Sequence, residues 1–236
     1  MQSGIDRSLV SSMPLFAGVA DAALDDILAT AVSRRYPAGA VVFEQGQPAE
    51  DFYVLLHGRL LVTRVDAQGQ QTVVRVVNPG DLFGIARALR RPDYPGTATA
   101  AAESIALVWP MSGWDSILER HPAFAINAMQ TMGQRLQEAH ARVHELATEE
   151  VERRVAHTVL RLADQAGQKE AGGIRIDFPI SKEDIAEMTG TTLHTVSRIL
   201  SAWRGGGLVE TGRQRLLITD PHRLLMIADG RDEGLL

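Results

Sequence analysis

The stretch Ser181–Gly206, SKEDIAEMTGTTLHTVSRILSAWRGG, predicts two short helices separated by a tight break. Ser181 is a favourable N-cap for the first helix, and Asp184 stands three residues later, as in a capping box. Gly190 is placed where a chain that leaves a helix needs a left-handed residue. Either of the two threonines that follow can cap the second helix. The spacing therefore predicts a helical pair joined by a short turn.

The second helix of this pair has two unlike faces. Apolar residues recur on one side at helical spacing, namely Leu193, Val196, Ile199, Leu200 and Trp203. The first turns of the other side carry the polar residues His194, Thr195, Ser197 and Arg198. Short polar side chains with an Arg that can grip guanine are typical of a helix that reads a major groove. The alternative is an ordinary helical hairpin with a solvated face.

The sequence that follows the second helix favours DNA binding. Leu208–Glu210, a turn at Thr211–Arg213, and Arg215–Thr219 predict a small antiparallel hairpin, which would act as the wing of a winged helix. The segments DIAEMTGTTLHTVSRILSAW (184–203) and GLVETGRQRLLITD (207–220) resemble the DNA-binding end of the CRP/FNR family of bacterial transcription regulators. We therefore predict a winged helix-turn-helix.

The charge of the chain agrees with a local rather than a general affinity for nucleic acid. The formal net charge is −5, which argues against a surface that is basic throughout. Residues 191–216, however, include four arginines and only one acidic residue, Glu210, so this segment is locally basic. The arginines are Arg198, Arg204, Arg213 and Arg215.

The first half of the chain has a different pattern. From Arg34 to Val108, short apolar runs are separated by turn signals at roughly ten-residue spacing, which suggests a compact β-sandwich or barrel. The order of residues 38–84 resembles the β-roll of cyclic-nucleotide-binding domains, and glycines fall where that fold turns: Gly39, Gly46, Gly58, Gly80 and Gly84. The expected fold class is α+β, with a β-roll sensor domain at 1–120, a dimerisation helix at 121–147 and a winged helix-turn-helix domain at 148–236.

Helices are expected around these domains. Ser8–Val32 is predicted to form two helical pieces, the second beginning at Ala20, and Ser112–Arg120 and Thr148–Gly167 are predicted to form one helix each. A short strand is expected at 172–176, and a last helix at Pro221–Ala228.

A seven-residue repeat in the long helix predicts pairing with a second copy. Apolar residues form an a/d seam over almost three heptads, namely Met129, Met132, Leu136, Ala139, Val143 and Leu146. Such a seam, in a helix that joins two domains, favours a parallel homodimer. The alternative is that the helix lies only on the core of the β-roll.

The sensor domain lacks the residues with which the family binds cyclic nucleotides. The resemblance implies a Glu after the Phe-Gly turn, to hold the ribose, and an Arg some ten residues later, to clamp the phosphate. Here the first position reads Gly84–Ile85 and the second reads Gly96–Thr97–Ala98. A buried anion without its cation carries a large desolvation penalty. We therefore expect no cyclic nucleotide to bind, and because the chain has no Cys, an iron–sulfur cluster bound through cysteines is excluded.

The stretch PGDLFGIARALRRPDYPGTATA (79–100) resembles the nitric-oxide-responsive (NnrR/DNR-type) branch of the family. That resemblance implies a b-type haem as the sensor and denitrification genes as the targets. Haem iron needs a ligand such as His, and none of His57, His121, His140 and His144 stands out. The expected pocket lining is Ile85, Tyr94 and Thr97. Another small effector, or no effector at all, remains an alternative.

The resemblance also implies contacts with DNA. Arg198 would donate to the guanine of a TTG half-site, and Ser197 would touch the neighbouring thymine. His194 stands where most of the family has Glu, so the outer base of the half-site is open, and a TTG-N8-CAA operator fits best. Thr192, Thr195 and Arg213 are expected phosphate contacts.

Other classes of function find little support in the sequence. There is no nucleophile–base pair, phosphate-binding Gly loop or metal-spaced cluster, so we expect no enzyme. No apolar run is long enough to span a membrane, and no secretory signal is visible, so we expect a cytoplasmic protein. The expected partners are a double-stranded DNA operator, a second copy of the chain and RNA polymerase. A module that only binds proteins is the competing hypothesis.

Overall fold

The computed structural model describes residues 7–231, which form two compact units. The first unit comprises residues 7–70 and 74–138, and the second comprises residues 139–231 with the short segment 71–73. The mixed α and β architecture, with an N-terminal β domain, a long helix and a C-terminal helix-turn-helix, confirms the predicted fold class.

The first unit is built on two four-stranded sheets. Their strands are β1 (Val32–Tyr36), β2 (Val41–Phe43), β3 (Asp51–His57), β4 (Leu60–Val65), β5 (Gln71–Val77), β6 (Leu82–Phe83), β7 (Thr97–Ala100) and β8 (Ser104–Pro110). One sheet has the order β1-β8-β3-β6 and the other β2-β7-β4-β5. The sandwich or barrel predicted from the turn residues, which the resemblance specified as a β-roll, is thus a pair of sheets with a shared interior.

Strand β3 explains why this part of the sequence reads as a continuous apolar run. Alternate residues of a strand point to opposite faces of its sheet. Tyr53 and Leu55 belong to the core between the two sheets, whereas Phe52 and Val54 belong to a second core on the outer face. Because both faces are buried, no polar residue alternates with the apolar ones.

The helices of the first unit cover that outer face. They are α1 (Arg7–Ser11), α2 (Asp21–Leu28), α3 (Trp114–Arg120) and α4 (Pro122–Thr148), with 3₁₀ turns at Pro14–Phe16, Arg87–Leu89 and Met111–Gly113. The indole Nε1 of Trp109 donates a hydrogen bond of 2.8 Å to the carbonyl oxygen of Ile27, which joins β8 to α2. The residues of α4 after Glu138 belong to the second unit.

The N-terminal prediction was too long by one turn. The second helical piece was expected to reach Val32, but α2 ends at Leu28 and Val32 opens β1, where it pairs with Val108. A β-branched residue that starts a paired strand gains ladder hydrogen bonds that it would lack at a fraying helix end.

Gly58 shows why the turn between β3 and β4 needs glycine. Its φ of 89° lies in a region that side chains rarely adopt, and a Cβ built there would overlap the side chain of Ser104 and the carbonyl oxygen of Glu103. The Ser104 Oγ instead accepts a hydrogen bond of 3.2 Å from the backbone N–H of Arg59.

The second unit combines four helices with a four-stranded sheet. After the end of α4 come α5 (Val151–Ala166), β9 (Gly167–Glu170), β10 (Gly173–Ile176), α6 (Lys182–Thr189), α7 (Leu193–Gly205), β11 (Val209–Gly212), β12 (Arg215–Ile218) and α8 (Pro221–Ala228). The sheet order is β11-β12-β10-β9. Only β9 had not been expected as a strand: all four of its residues are exposed, so it has no apolar alternation to reveal it.

Helix α5 forms the centre of the packing in the second unit. Its buried residues include Val155, Val159 and Leu162, and it packs against both α6 and α8. Within residues 7–231, no helix is long and apolar enough to cross a membrane. The same residues contain no group of three or more His, Cys, Asp or Glu side chains that could hold a metal ion.

The cap of α6 gives a prediction about stability. Replacing Ser181 by Ala removes the acceptor for the Asp184 N–H, so we expect the free energy of unfolding to fall by about 1 kcal/mol. Urea denaturation followed by circular dichroism measures the change. The exposed Ser201→Ala substitution on α7 is the matched control and should stay within about 0.5 kcal/mol of the parent. Equal losses in both variants would contradict the capping role.

Candidate nucleic-acid interface and effector cavity

The first helix of the helix-turn-helix begins with the predicted capping box. The Ser181 Oγ accepts a hydrogen bond of 3.0 Å from the Asp184 N–H, and Asp184 Oδ2 accepts one of 2.8 Å from the Ser181 N–H. At the other end Gly190 is left-handed, with φ 61° and ψ 41°, and its N–H bonds the carbonyl oxygen of Ala186. Both ends of α6 are thus fixed as the sequence predicted, and the turn into α7 follows at once.

Helix α7 is capped by Thr192. Its Oγ1 accepts a hydrogen bond of 3.2 Å from the Thr195 N–H, and the two hydroxyl groups lie 2.9 Å apart. Both threonines are therefore engaged in the cap. They stand at a helix N-terminus, where backbone N–H groups and the helix dipole favour an anion such as a phosphate.

The faces of α7 divide as the sequence predicted, with one exception. Val196, Ile199, Leu200 and Trp203 are buried. His194 and Arg198 are exposed, and Ser197 is half-buried. Because residues three and four apart share a helix face, His194 and Arg198 lie on one side of α7. The exception is Leu193, which was placed on the apolar side but is 42 % exposed in the first turn.

Two hydrogen bonds join this helical pair to α5, and neither was predicted from the sequence. The indole Nε1 of Trp203 donates a hydrogen bond of 2.7 Å to Glu152 Oε1. The Nε of Arg154 donates one of 3.1 Å to the carbonyl oxygen of Thr189, at the end of α6. The partners are far apart in sequence, so only an expectation that a buried indole N–H needs an acceptor could have pointed to the first contact.

The predicted wing is present and ends in a two-residue turn. Gly212 pairs with Arg215, so Arg213 and Gln214 form the tip that joins β11 and β12. Arg213 is exposed. Gln214 has a φ of 55°, one of two positive values among the non-glycine residues described. The structure thus places all six predicted DNA contacts in the second unit, five of them on α7 or its cap and Arg213 on the wing.

The seam predicted on α4 is largely uncovered. Met129, Leu136, Val143 and Leu146 are 45–66 % exposed, and Ala139 is exposed as well. Met132 differs, because it is half-buried and packs against the core that covers the outer face of the β-roll. Such a row of exposed apolar side chains at heptad spacing is the surface that a second helix would cover.

A cavity of about 530 Å³ lies in the first unit, between the β-roll and the first part of α4. Its walls are mainly apolar, and they include Phe43, Val62, Phe83, Leu89, Met132 and Leu136. The rings of Phe43 and Tyr94 stack with their centres 3.9 Å apart. Ile85 and Tyr94, two of the three residues expected in an effector pocket, lie in the wall of the cavity. Thr97 does not, and this part of the prediction was wrong: its Oγ1 accepts a hydrogen bond of 3.0 Å from the Gln45 N–H, and Gly96 lines the wall instead.

Three arginines also line the cavity: Arg75, Arg91 and Arg135. The Arg75 Nη2 donates a hydrogen bond of 2.8 Å to Asp81 Oδ2. The Arg135 Nη2 lies 3.7 Å from the other oxygen of Asp81, beyond hydrogen-bond distance, and has no hydrogen-bond partner although it is buried. Burial, together with the nearby charge of Arg75, lowers the pKa of Arg135 to about 10, so the group stays charged at neutral pH.

The lining does not fit a histidine-ligated haem. All seven histidines of the chain lie within the described residues, and none of them lines the cavity. His57, His140 and His144 are exposed, and His121 Nε2 is 2.7 Å from Asp26 Oδ2. Met132 provides the only sulfur in the lining. The donor set therefore lacks the usual proximal ligand for a b-type haem.

Comparison with known protein families matches both units. Residues 33–121 match the cyclic nucleotide-binding domain, and residues 153–227 match the Crp-like helix-turn-helix domain. These ranges include the cavity walls formed by the β-roll and all six predicted DNA contacts.

Individual relatives match almost the whole chain. It is 30 % identical to the cyclic AMP receptor protein of Thermus thermophilus over 217 residues, which are 92 % of this chain and 97 % of the relative. It is 24 % identical over 210 residues to a CRP-like cAMP-activated global transcriptional regulator of Mycobacterium tuberculosis, covering 89 % of this chain and 94 % of that one.

Solved structures agree with these matches. A CRP-family transcriptional regulator from Thermus thermophilus has a TM-score of 0.71 at 28 % identity, over 86 % of this chain and 98 % of that chain. The shared domains, the extent of the match and the shared architecture lead to one conclusion: the chain belongs to the CRP/FNR family of transcription regulators.

Proposed function

We propose that this protein is a homodimeric, sequence-specific DNA-binding regulator that reads a palindromic operator with helix α7. The observation that supports this most directly is the division of α7 into a buried apolar face and a face that exposes His194 and Arg198. A helix held in this way offers base-reading side chains without disturbing its own core. One relative of this protein is named as a global transcriptional regulator.

The base contacts of the proposal follow from the resemblance. Arg198 donates both ends of its guanidinium to the guanine of a TTG half-site, and Ser197 touches the neighbouring thymine. Thr192, Thr195 and Arg213 contact phosphates and set the position of the helix, so they add affinity without sequence information. The operator of the proposal is TTG-N8-CAA, whose two half-sites mirror the two-fold symmetry of a dimer.

The dimer is proposed from the exposed seam on α4. A second copy would cover the apolar side chains of Met129, Leu136, Val143 and Leu146, which are otherwise open to water. Together with Met132 and Ala139, these residues recur every three or four positions, as in a coiled coil. RNA polymerase is the expected further partner of the DNA-bound regulator.

A nitric-oxide response through haem, with denitrification genes as targets, stays a prediction that rests on the sequence resemblance. The cavity gives it no support, since no His lines it. The competing hypothesis of a module that only binds proteins differs in one measurable respect, because such a module would show no preference for the operator over scrambled DNA.

Arg198 tests the reading assignment. Arg198→Ala should weaken binding to a TTG-N8-CAA duplex by about 1–3 kcal/mol and abolish most of the preference for guanine. Fluorescence anisotropy at physiological salt, on operator and scrambled duplexes, measures both effects. The control is Arg204→Ala, an exposed arginine in the last turn of α7, which should leave the preference for guanine intact. If the Arg198 variant kept the parental ratio of operator to scrambled binding, the assignment would be refuted.

A second test concerns His194, which stands where most of the family has Glu. A carboxylate only accepts hydrogen bonds, so His194→Glu should increase discrimination for a base pair that presents a cytosine amino group by about 1–3 kcal/mol per half-site. A set of duplexes with each half-site base replaced in turn reveals the position. The guanine read by Arg198 should be unaffected. An unchanged profile at every position would show that residue 194 does not reach the bases.

Val143 tests the dimer. Two facing carboxylates in an apolar seam lose their hydration, so Val143→Glu should weaken dimerisation at least about tenfold. Sedimentation equilibrium measures the dissociation constant. Gln137→Glu introduces the same carboxylate at an exposed position outside the seam and should leave the dimer intact. A Val143 variant that remains as dimeric as this control would contradict the α4 interface.

A further inference from the structure

The walls of the cavity in the first unit offer too few hydrogen-bonding groups for a cyclic nucleotide. Ribose hydroxyls and a purine need several hydrogen-bonding groups, yet the walls contain no carboxylate, and Ile85 places an apolar side chain beside Gly84. The hydroxyl of Tyr94 is already used, since it donates a hydrogen bond of 2.8 Å to the carbonyl oxygen of Asp51. What remains for a ligand is a large apolar volume with cationic groups.

The cationic groups are not fully neutralised. Arg75 and Arg135 approach the same carboxylate, Asp81, and Asp81 Oδ2 also accepts a hydrogen bond of 3.0 Å from the Asn78 N–H. Two guanidinium groups therefore share one carboxylate. The side chain of Arg135 is only 22 % exposed, and its Nη2 is a buried donor without an acceptor.

An unpaired donor on a buried charge is unfavourable and is normally satisfied by a partner. A guanidinium presents its N–H groups in a planar fork that matches a carboxylate. The apolar walls meanwhile exclude a ligand that is polar throughout, because its groups would be left without hydrogen bonds.

From this arrangement we propose that the cavity binds an apolar carboxylic acid, with its carboxylate on Arg135 and its hydrocarbon body between Phe43, Val62, Phe83 and Leu89. A cavity of about 530 Å³ is large enough for a small organic molecule of this kind. This ligand class deepens the proposed function, because the acid would be the effector of the regulator. Its binding, however, depends on the first unit alone.

Leu136 connects the cavity to the seam on α4. It lines the cavity, and it is also 58 % exposed in the row of apolar residues proposed to meet a second copy. A hydrocarbon body that packs against Leu136 changes the rotamers open to that side chain. Because the second copy would contact the same side chain, ligand binding and dimerisation are coupled through the Leu136 rotamer. The consequence for DNA binding rests on the proposed function.

Isothermal titration of the full-length protein with dodecanoate, in the absence of DNA, tests the proposal. We expect saturable binding of one molecule per chain, and binding of 1-dodecanol, which lacks the charge, at least tenfold weaker. Equal affinity for the acid and the alcohol, or tight binding of cyclic AMP with none of dodecanoate, would overturn the assignment. The assignment would also be overturned if the protein bound haem, seen as a shifted Soret band, and neither dodecanoate nor dodecanol displaced that haem.

Substitutions at Arg135 locate the carboxylate. Arg135→Met should weaken dodecanoate at least tenfold while leaving dodecanol unchanged or tighter, and Arg135→Lys should restore part of the affinity for the acid. Without ligand, Arg135→Met should melt at the same temperature as the parent or higher, since it removes a buried charge that shares the Asp81 carboxylate with Arg75 and has a donor without an acceptor. Arg87→Gln, which removes an exposed charge outside the cavity wall, should change the affinity less than twofold.

These measurements separate the two proposals. Dodecanoate binding that depends on Arg135 would support the cavity assignment even if the chain showed no preference for its operator. Conversely, operator binding that depends on Arg198, with no acid binding, would leave the regulator standing and refute the ligand. Parental dodecanoate affinity in both Arg135 variants would also refute it.

Discussion

Helix α4 carries apolar residues on two faces, and both the cavity and the exposed seam depend on how these faces are covered. Phe124 and Ala128 are buried in the core that covers the outer face of the β-roll, and Met132 packs against the same core one turn later. Met129, Leu136 and Val143 point elsewhere and remain exposed. A helix with apolar residues on two faces cannot be covered by its own domain alone. It therefore lines one cavity and leaves a second apolar surface exposed.

The helix-turn-helix could be predicted almost residue by residue, because its signals are local. A capping serine with an acid three residues later, a left-handed glycine and a 3.6-residue period act within one turn of the chain. The structure places the cap at Ser181, the left-handed residue at Gly190 and the second cap at Thr192, as the sequence indicated. The strands of the β-roll were predictable for a similar reason, since glycines and prolines mark its turns.

The features that the sequence did not reveal depend on contacts between distant residues. Nothing next to Arg135 indicates that its guanidinium is buried beside that of Arg75, because the two residues lie on different elements. The bond between Trp203 and Glu152 also joins residues 51 positions apart. Thr97 opens β7 and its Oγ1 accepts a hydrogen bond from the Gln45 N–H, whereas the preceding Gly96 lines the cavity, because neighbouring residues of an extended chain face opposite sides. Leu193 matched the helical period but lies in the first turn of α7, where the core no longer covers it.

The tip of the wing shows a different kind of compromise. Gln214 occupies a left-handed backbone conformation that is unfavourable for a residue with a side chain by about 1 kcal/mol, and glycine would relieve the strain. The hairpin nevertheless has two long, exposed polar side chains, Arg213 and Gln214, at the turn that joins its strands. A turn selected only for folding would use Asn-Gly or a similar pair. A glycine placed at Gln214 to stabilise the chain would therefore also remove a polar side chain from the tip of the wing.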